Sequence, residues 1–299
     1  MLSPHYYGDT MRLMSKMFLP AGILAIMAIS YGVFWYANTD DEAHINAQQS
    51  GDSRAKSSSL EQGFVEVPVV QFIETSGSVP QLRYTYNISY PAVSLAAQPL
   101  LAKTANEVIK THVLDNLEAF KKNLDTEEAL PGLEAQTSDF ALRSRVMLLS
   151  PTILSFRFDS AEFIAGSAHP NSQAHVLNYN METSRIIFTE ELFSSTTEGL
   201  VFLSEFSREI LRARFPDVSA ADFDTSVIPG ITPTLKNFRS VAIAKNGIVV
   251  IFDPYQVASY ARGTQEIVVP LDKVIHLLSP QVVNAIKLAN KNLRDATEE

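Results

Sequence analysis

The stretch FRSVAIAKNGIVVIFDPYQVASYARGTQEIVVPL, Phe238–Leu271, decides how the chain folds. It holds three Val- and Ile-rich runs separated by turn-forming residues, the composition of buried strands. Asn246-Gly247 joins the first two runs as a β-hairpin, because this pair accepts positive φ at both positions. The second and third runs, Ile248–Phe252 and Glu266–Val269, flank Asp253-Pro254-Tyr255 and Tyr260-Ala261-Arg262-Gly263. That loop is chemically more specific than a spacer needs to be, and loops held by paired strands commonly carry binding residues.

Working outward, the same alternation recurs upstream. Leu82–Tyr90 places Leu82, Tyr84, Tyr86, Ile88 and Tyr90 on one face and polar residues on the other, with Pro91 as its expected end. Phe140–Leu149 and Ile153–Ile164 are two more strands, broken at Ser150-Pro151. His175–Met181 and Arg185–Phe188 form a hairpin around Glu182-Thr183-Ser184. Helical spacing marks Leu100–Leu124, Thr197–Phe215 and Pro280–Ala296, with Asp217–Pro233 irregular between the last two. Strands therefore come in hairpin groups between helices. This order predicts an α+β fold of mostly antiparallel sheets with packing helices, after one N-terminal transmembrane helix.

That transmembrane helix is read from Met17–Ala37, which carries no charged residue and is long enough to cross a hydrocarbon core. Arg12 and Lys16 precede it, and Asp40, Asp41 and Glu42 follow, so residues 1–16 are expected in the cytoplasm and the rest outside. Bulky Val33-Phe34-Trp35-Tyr36 stands where a cleavage site would need small residues, which favours an uncleaved anchor. Polar, Ser-rich residues 38–63 read as a flexible linker. The expected organisation is a tail at 1–16, an anchor at 17–37, a linker at 38–63, an α+β subdomain at 64–138 and a C-terminal α+β domain at 139–299. The lipid bilayer is the partner of residues 17–37. The location is the cytoplasmic (inner) membrane, single-pass, with the C-terminal domain periplasmic or extracellular.

Composition narrows the chemistry. The net charge is −9, and the Lys and Arg residues are scattered, which argues against nucleic acid as a partner. There is no cysteine, hence no disulfide, thiolate metal site or cysteine nucleophile. His169 and His175 lie near Asp159, Glu162 and Asn171, but the spacing matches no metal-binding signature, and His169-Pro170-Asn171 reads as an ordered loop. Neither a nucleophile elbow nor a phosphate-binding glycine loop occurs. No catalytic residue, metal or cofactor is expected. Tyr255, Tyr260 and Arg262 are the recognition candidates, since Tyr and Arg are enriched at interface hot spots. The alternative for Tyr255 is a corner residue packed on the core.

Two segments together, Gly166–Phe193 and Ile248–Leu271, resemble an uncharacterised extracytoplasmic domain family shared by RsiV-type anti-sigma factors and PdaC-type peptidoglycan deacetylases. The resemblance rests on Ala168, His169, Pro170, Asn171, Asn178, Tyr179, Thr183, Leu192 and Phe193. In the second segment it rests on Phe252, Pro254, Tyr255, Ala258, Tyr260, Ala261, Gly263, Pro270 and Leu271. It implies a membrane-tethered α+β module facing the envelope, with lysozyme as the ligand in RsiV-like proteins and a glycan-acting catalytic domain alongside in PdaC-like ones. Neither the anti-sigma role nor the deacetylase activity is carried over, because residues 1–16 are short for a sigma-binding segment and no deacetylase domain is expected here.

The reading is an anchored binding module of the bacterial envelope without catalysis of its own, recognising peptidoglycan or a lysozyme-like enzyme. His169, Asn171, Tyr255, Tyr260 and Arg262 are its ligand-binding candidates. Two alternatives stand beside it: a cell-wall glycan hydrolase or deacetylase-related enzyme, and a stress sensor released by proteolysis of the linker.

Overall fold

Among the described residues, nine strands form two sheets, and helices cover their outer faces. The computed structural model describes residues 66–126 and 136–297, all within one compact unit, Gln62–Glu299. The expected anchor and linker lie outside the described residues. No helix among the described residues is long and apolar enough to cross a membrane.

The strands are β1 (Val69–Val79) and β2 (Tyr84–Ser94), followed by helix α1 (Pro99–Thr126). Then come β3 (Ser138–Leu149), β4 (Ile153–Phe163), β5 (Asn171–Asn180) and β6 (Arg185–Ile187). Helices α2 (Thr196–Arg214) and α3 (Ala220–Ser226) lead to β7 (Val241–Ala244), β8 (Gly247–Phe252) and β9 (Gln265–Pro270). Helices α4 (Leu271–Val274) and α5 (Pro280–Thr297) close the described chain. The first six strands form one sheet in sequence order, and β7-β8-β9 form the second.

All pairings are antiparallel except β2 with β3, which run parallel from Tyr84 opposite Ser138 to Ile88 opposite Leu142. A parallel join needs a crossover, and α1 supplies it. Its apolar stripe, including Ile109, Val113, Leu117 and Phe120, is buried against Ile88, Phe140, Phe156, Phe158 and Leu177 of the sheet. The segments 64–138 and 139–299 thus share a sheet.

The opposite face of the large sheet meets the second sheet through Ala174, Val176, Ala242, Val249 and Ile251. The outer face of the second sheet, with Val250, Phe252, Ile267 and Val269, packs with Leu203 and Leu211 of α2 and Val282 and Ile286 of α5. The layers are therefore helix, six strands, three strands, helices. The α+β class with mostly antiparallel sheets is the architecture found.

Three local readings shift. Strand β2 continues through Pro91 to Ser94; β3 pairs with β2 only as far as Ile88, and a proline is tolerated where one side of a strand is open. The β7–β8 hairpin closes with Ala244 opposite Gly247, so Lys245-Asn246 form its turn. Gly247 has φ +141°, and a Cβ there would stand 2.0 Å from the Val269 carbonyl oxygen, so close passage of β9 demands the glycine. Residues expected to be irregular contain α3, whose N-cap Ser219 accepts from the Asp222 amide at 3.1 Å and whose Phe223 is buried.

Candidate binding site

The two sequence motifs meet in space. The β4–β5 connection turns back on itself at Ser167, whose amide donates to the Ile164 carbonyl at 2.9 Å, and it presents His169 in solvent just before β5. On the other sheet, β8 ends in a turn at Asp253-Pro254-Tyr255, closed by the Gln256 amide donating to the Asp253 carbonyl at 3.1 Å. A single helical turn at Tyr260–Arg262 follows.

The rings of His169 and Tyr260 stack at 4.0 Å between centroids, 26° between planes. Tyr255 completes the group, 5.6 Å from Tyr260 and 6.4 Å from His169. The Tyr260 hydroxyl donates to the Pro170 carbonyl at 2.8 Å, and His169 Nδ1 reaches the same oxygen at 3.0 Å. A carbonyl only accepts, so Nδ1 carries the proton. In the neutral ring Nε2 is then left to accept from the Tyr255 hydroxyl, 3.3 Å away.

Tyr255 is the unusual member. Its φ is +69°, at the turn position that glycine or asparagine normally fills after a proline. The residue is nevertheless 65% exposed, so the core does not hold it there. A left-handed conformation costs a residue with a Cβ about 1–2 kcal/mol, and such strain concentrates at ligand clamps and active sites.

A buried carboxylate locks the two motifs together. Asp253 Oδ1 accepts from the Ala174 amide at 2.7 Å, and Oδ2 pairs with Arg239. Beside it, the Ser240 hydroxyl donates to the Ala174 carbonyl at 2.9 Å. Asn178 Nδ2 donates to the Val241 carbonyl at 2.8 Å, while its Oδ1 accepts from Ser155 and from the Ile243 amide. The side chains of Asn178 on β5, Ser240 just before β7 and Asp253 just after β8 thus stitch the two sheets where backbone ladders do not.

The other sequence candidates separate. Arg262 lies 4.8 Å over the Phe215 ring and pairs with Asp217, so it ties the loop to the end of α2. Asn171 opens β5 opposite Glu162, exposed, next in the chain to the cluster but with no side-chain hydrogen bond among the described residues.

Asp159 pairs with Arg157 and Arg145 on one face of β4, whereas Glu162 lies on the other. His175 is directly opposite Phe158, on the α1 side, with its ring 6.0 Å from that of His112. Burial drives both imidazoles down from their ordinary range, His112 to about 4. The charge of His175 lowers His112 further, and Asp115 opposes it; for His175, the carboxylates of Asp253 and Asp159 oppose burial, while Arg239 adds to it. Burial also raises the Glu162 carboxyl, opposed by the Asn123 amide donating at 3.4 Å. These groups do not converge with His169 on a shared ligand.

The sequence reading missed Asp253 and Asn178 as the joints of the site. Asp253 lies inside the motif, but only the fold shows that its partner is a backbone amide 79 residues earlier.

Residues 190–272, which include the whole Tyr255–Tyr260 loop, match the family described as protein of unknown function, DUF3298. Among curated proteins, the peptidoglycan-N-acetylmuramic acid deacetylase PdaC of Bacillus subtilis is 27% identical over 134 residues, 45% of this chain and 28% of that enzyme. The chain therefore spans well under half of that relative. A DUF3298 family member from Bacteroides fragilis superposes with a TM-score of 0.52 at 16% identity, covering 74% of this chain and 96% of its own. A DUF3298 family protein from Pseudomonas aeruginosa does so at 0.52 and 15%, covering 73% and 97%. At that identity the two structures speak for the fold. The uncharacterised DUF3298 family, shared with PdaC, is the one that the two motifs resemble.

Proposed function

We propose that this chain is an anchored envelope protein whose outer domain binds cell-wall glycan through the His169–Tyr255–Tyr260 cluster, without turnover of its own. The carrying observation is the exposed Tyr255, held at φ +69° beside a stacked histidine–tyrosine pair drawn from two distant motifs. Exposed aromatic faces suit the C–H faces of sugar rings, and the tyrosine oxygens add hydrogen bonds at the rim. The likeness to a peptidoglycan-acting deacetylase supports a wall ligand. The anchor at 17–37 and the linker at 38–63 would hold the domain outside the cytoplasmic membrane.

A second reading takes its support from the projection of Tyr255 on a turn. A protruding ring is suited to enter a cleft, such as that of a glycan-cleaving enzyme of the lysozyme type. One experiment separates the two. The fragment 62–299, wild type and with Tyr255→Ala or Tyr260→Ala, is incubated with purified sacculi and, separately, with immobilised lysozyme. Retention on sacculi that either substitution removes supports the first reading, and retention on lysozyme alone supports the second. A fragment retained by neither sinks both.

A further inference from the structure

Where α2 meets α3, a cleft of ≈ 280 Å³ is lined by Arg208, Arg212, Ala220, Phe223, Asp224 and Ile228. Arg208 and Arg212 stand one turn apart on α2. Like charges at that spacing destabilise a helix by about 0.2–0.5 kcal/mol, and acids three residues away normally relieve it. Glu205 and Glu209 occupy those relieving positions. Among the described residues neither forms an ion pair with its arginine.

The guanidinium of Arg212 is instead fixed by the protein itself. It donates to the Val218 carbonyl at 2.9 Å and to that of Ser219 at 3.5 Å, and it sits 5.2 Å over the Phe223 ring. Arg208 has no side-chain hydrogen bond or ion pair among the described residues, and the same holds for Asp224. Opposite charges therefore line one cleft without meeting each other. Phe223 and Ile228 supply apolar lining between them.

We propose that this cleft binds a small zwitterion, a free amino acid or dipeptide, with its carboxylate on Arg208 and Arg212 and its ammonium on Asp224. Guanidinium groups match a carboxylate in geometry and charge. Asp224 repels a doubly charged anion such as phosphate and attracts an amine, so the cleft selects for both ends of the ligand. Its volume of ≈ 280 Å³ leaves room for a dipeptide with short side chains. The proposal is independent of the aromatic site.

The test is saturation-transfer difference NMR on the full chain with L-alanyl-L-alanine as the probe. The N-acetylated dipeptide, the C-terminal amide and inorganic phosphate serve as comparisons. The free dipeptide should bind, and blocking either end should weaken it by roughly tenfold or more. Arg208→Gln should cause a similar loss without lowering the melting temperature, because among the described residues that side chain makes no hydrogen bond or ion pair and its charge only repels Arg212. Asp224→Asn should abolish the preference for the free amine over the acetylated form. The proposal is overturned if Arg208→Gln leaves binding intact, if phosphate or a blocked peptide binds as well as the zwitterion, or if the free dipeptide does not bind.

Discussion

Replacing Tyr255 separates what the residue costs the fold from what it gives the site. At φ +69° the backbone carries a penalty of about 1–2 kcal/mol that glycine escapes. Tyr255→Ala keeps that penalty and loses the exposed contacts with His169 and Tyr260, worth about 1 kcal/mol together. Tyr255→Gly loses the same contacts but releases the strain, less about 0.5–1 kcal/mol for the greater freedom of glycine in the unfolded chain. The glycine variant should therefore be more stable than the alanine variant by about 0.5–1 kcal/mol and lie near wild type. Urea denaturation of fragment 62–299, compared at midpoints with a common slope, measures the difference. Both variants should lose at least tenfold in affinity for the ligand found by the retention experiment, as removal of a hot-spot tyrosine does. A glycine variant less stable than the alanine variant would refute the strain argument. Undiminished binding by both would refute the functional one.

Three further outcomes follow from the geometry. Asp253→Ala leaves the Ala174 amide buried without an acceptor and should cost about 2–4 kcal/mol in urea denaturation, whereas Asp253→Asn keeps an acceptor and should cost about 1. Arg262→Ala removes a partly exposed pair with Asp217 and should change stability by less than about 1 kcal/mol while leaving ligand retention intact, unlike Tyr260→Ala. His112 is held to about 4 in the fold against an ordinary 6.5, so the unfolded chain binds the extra proton first. Its stabilising effect is complete above pH 6.5 and falls away towards pH 4, by about 3 kcal/mol in all. His112→Leu should flatten the stability profile over that window, with His175, lowered in the same direction, leaving a residual slope. Glu162 acts oppositely, since its raised carboxyl favours the fold at acid pH and less so as pH rises.

Much of the scaffold was legible because its signals are local. Alternation along β4 and β8, the apolar stripe of α1 and the turn residues before Gly247 each report on neighbours a few positions away. Helix α3 escaped because seven residues give too little periodicity, though Ser219 and Asp222 carried the capping spacing. The parallel pairing of β2 with β3 escaped because nothing in either strand names its partner. The site divides in the same way. His169, Tyr255 and Tyr260 stood out by residue type and motif, and the fold brings them together. Arg262 stood out equally but meets Asp217 and Phe215, whose proximity no local pattern encodes. Asp253 read as a turn former, because its buried partner is a backbone amide and leaves no trace in side-chain identity.

The parallel join also sets an order of assembly. Strands β1 and β2 can zip together as neighbours, as can β3 with β4 and β5, each through short connections. Neither group can recruit the other until the chain from Ile88 to Ser138 has looped across with α1 formed along it. That long loop closure, rather than any hairpin, is expected to limit the folding rate, since distant contacts reward the chain only after its entropy has been lost. Weakening α1 at Phe120, which is fully buried between Tyr84 of β2 and Phe140 of β3, should slow folding more than it hastens unfolding. A chain synthesised from its N-terminus would hold β1 and β2 as a lone hairpin until the crossover helix, and then β3, had followed.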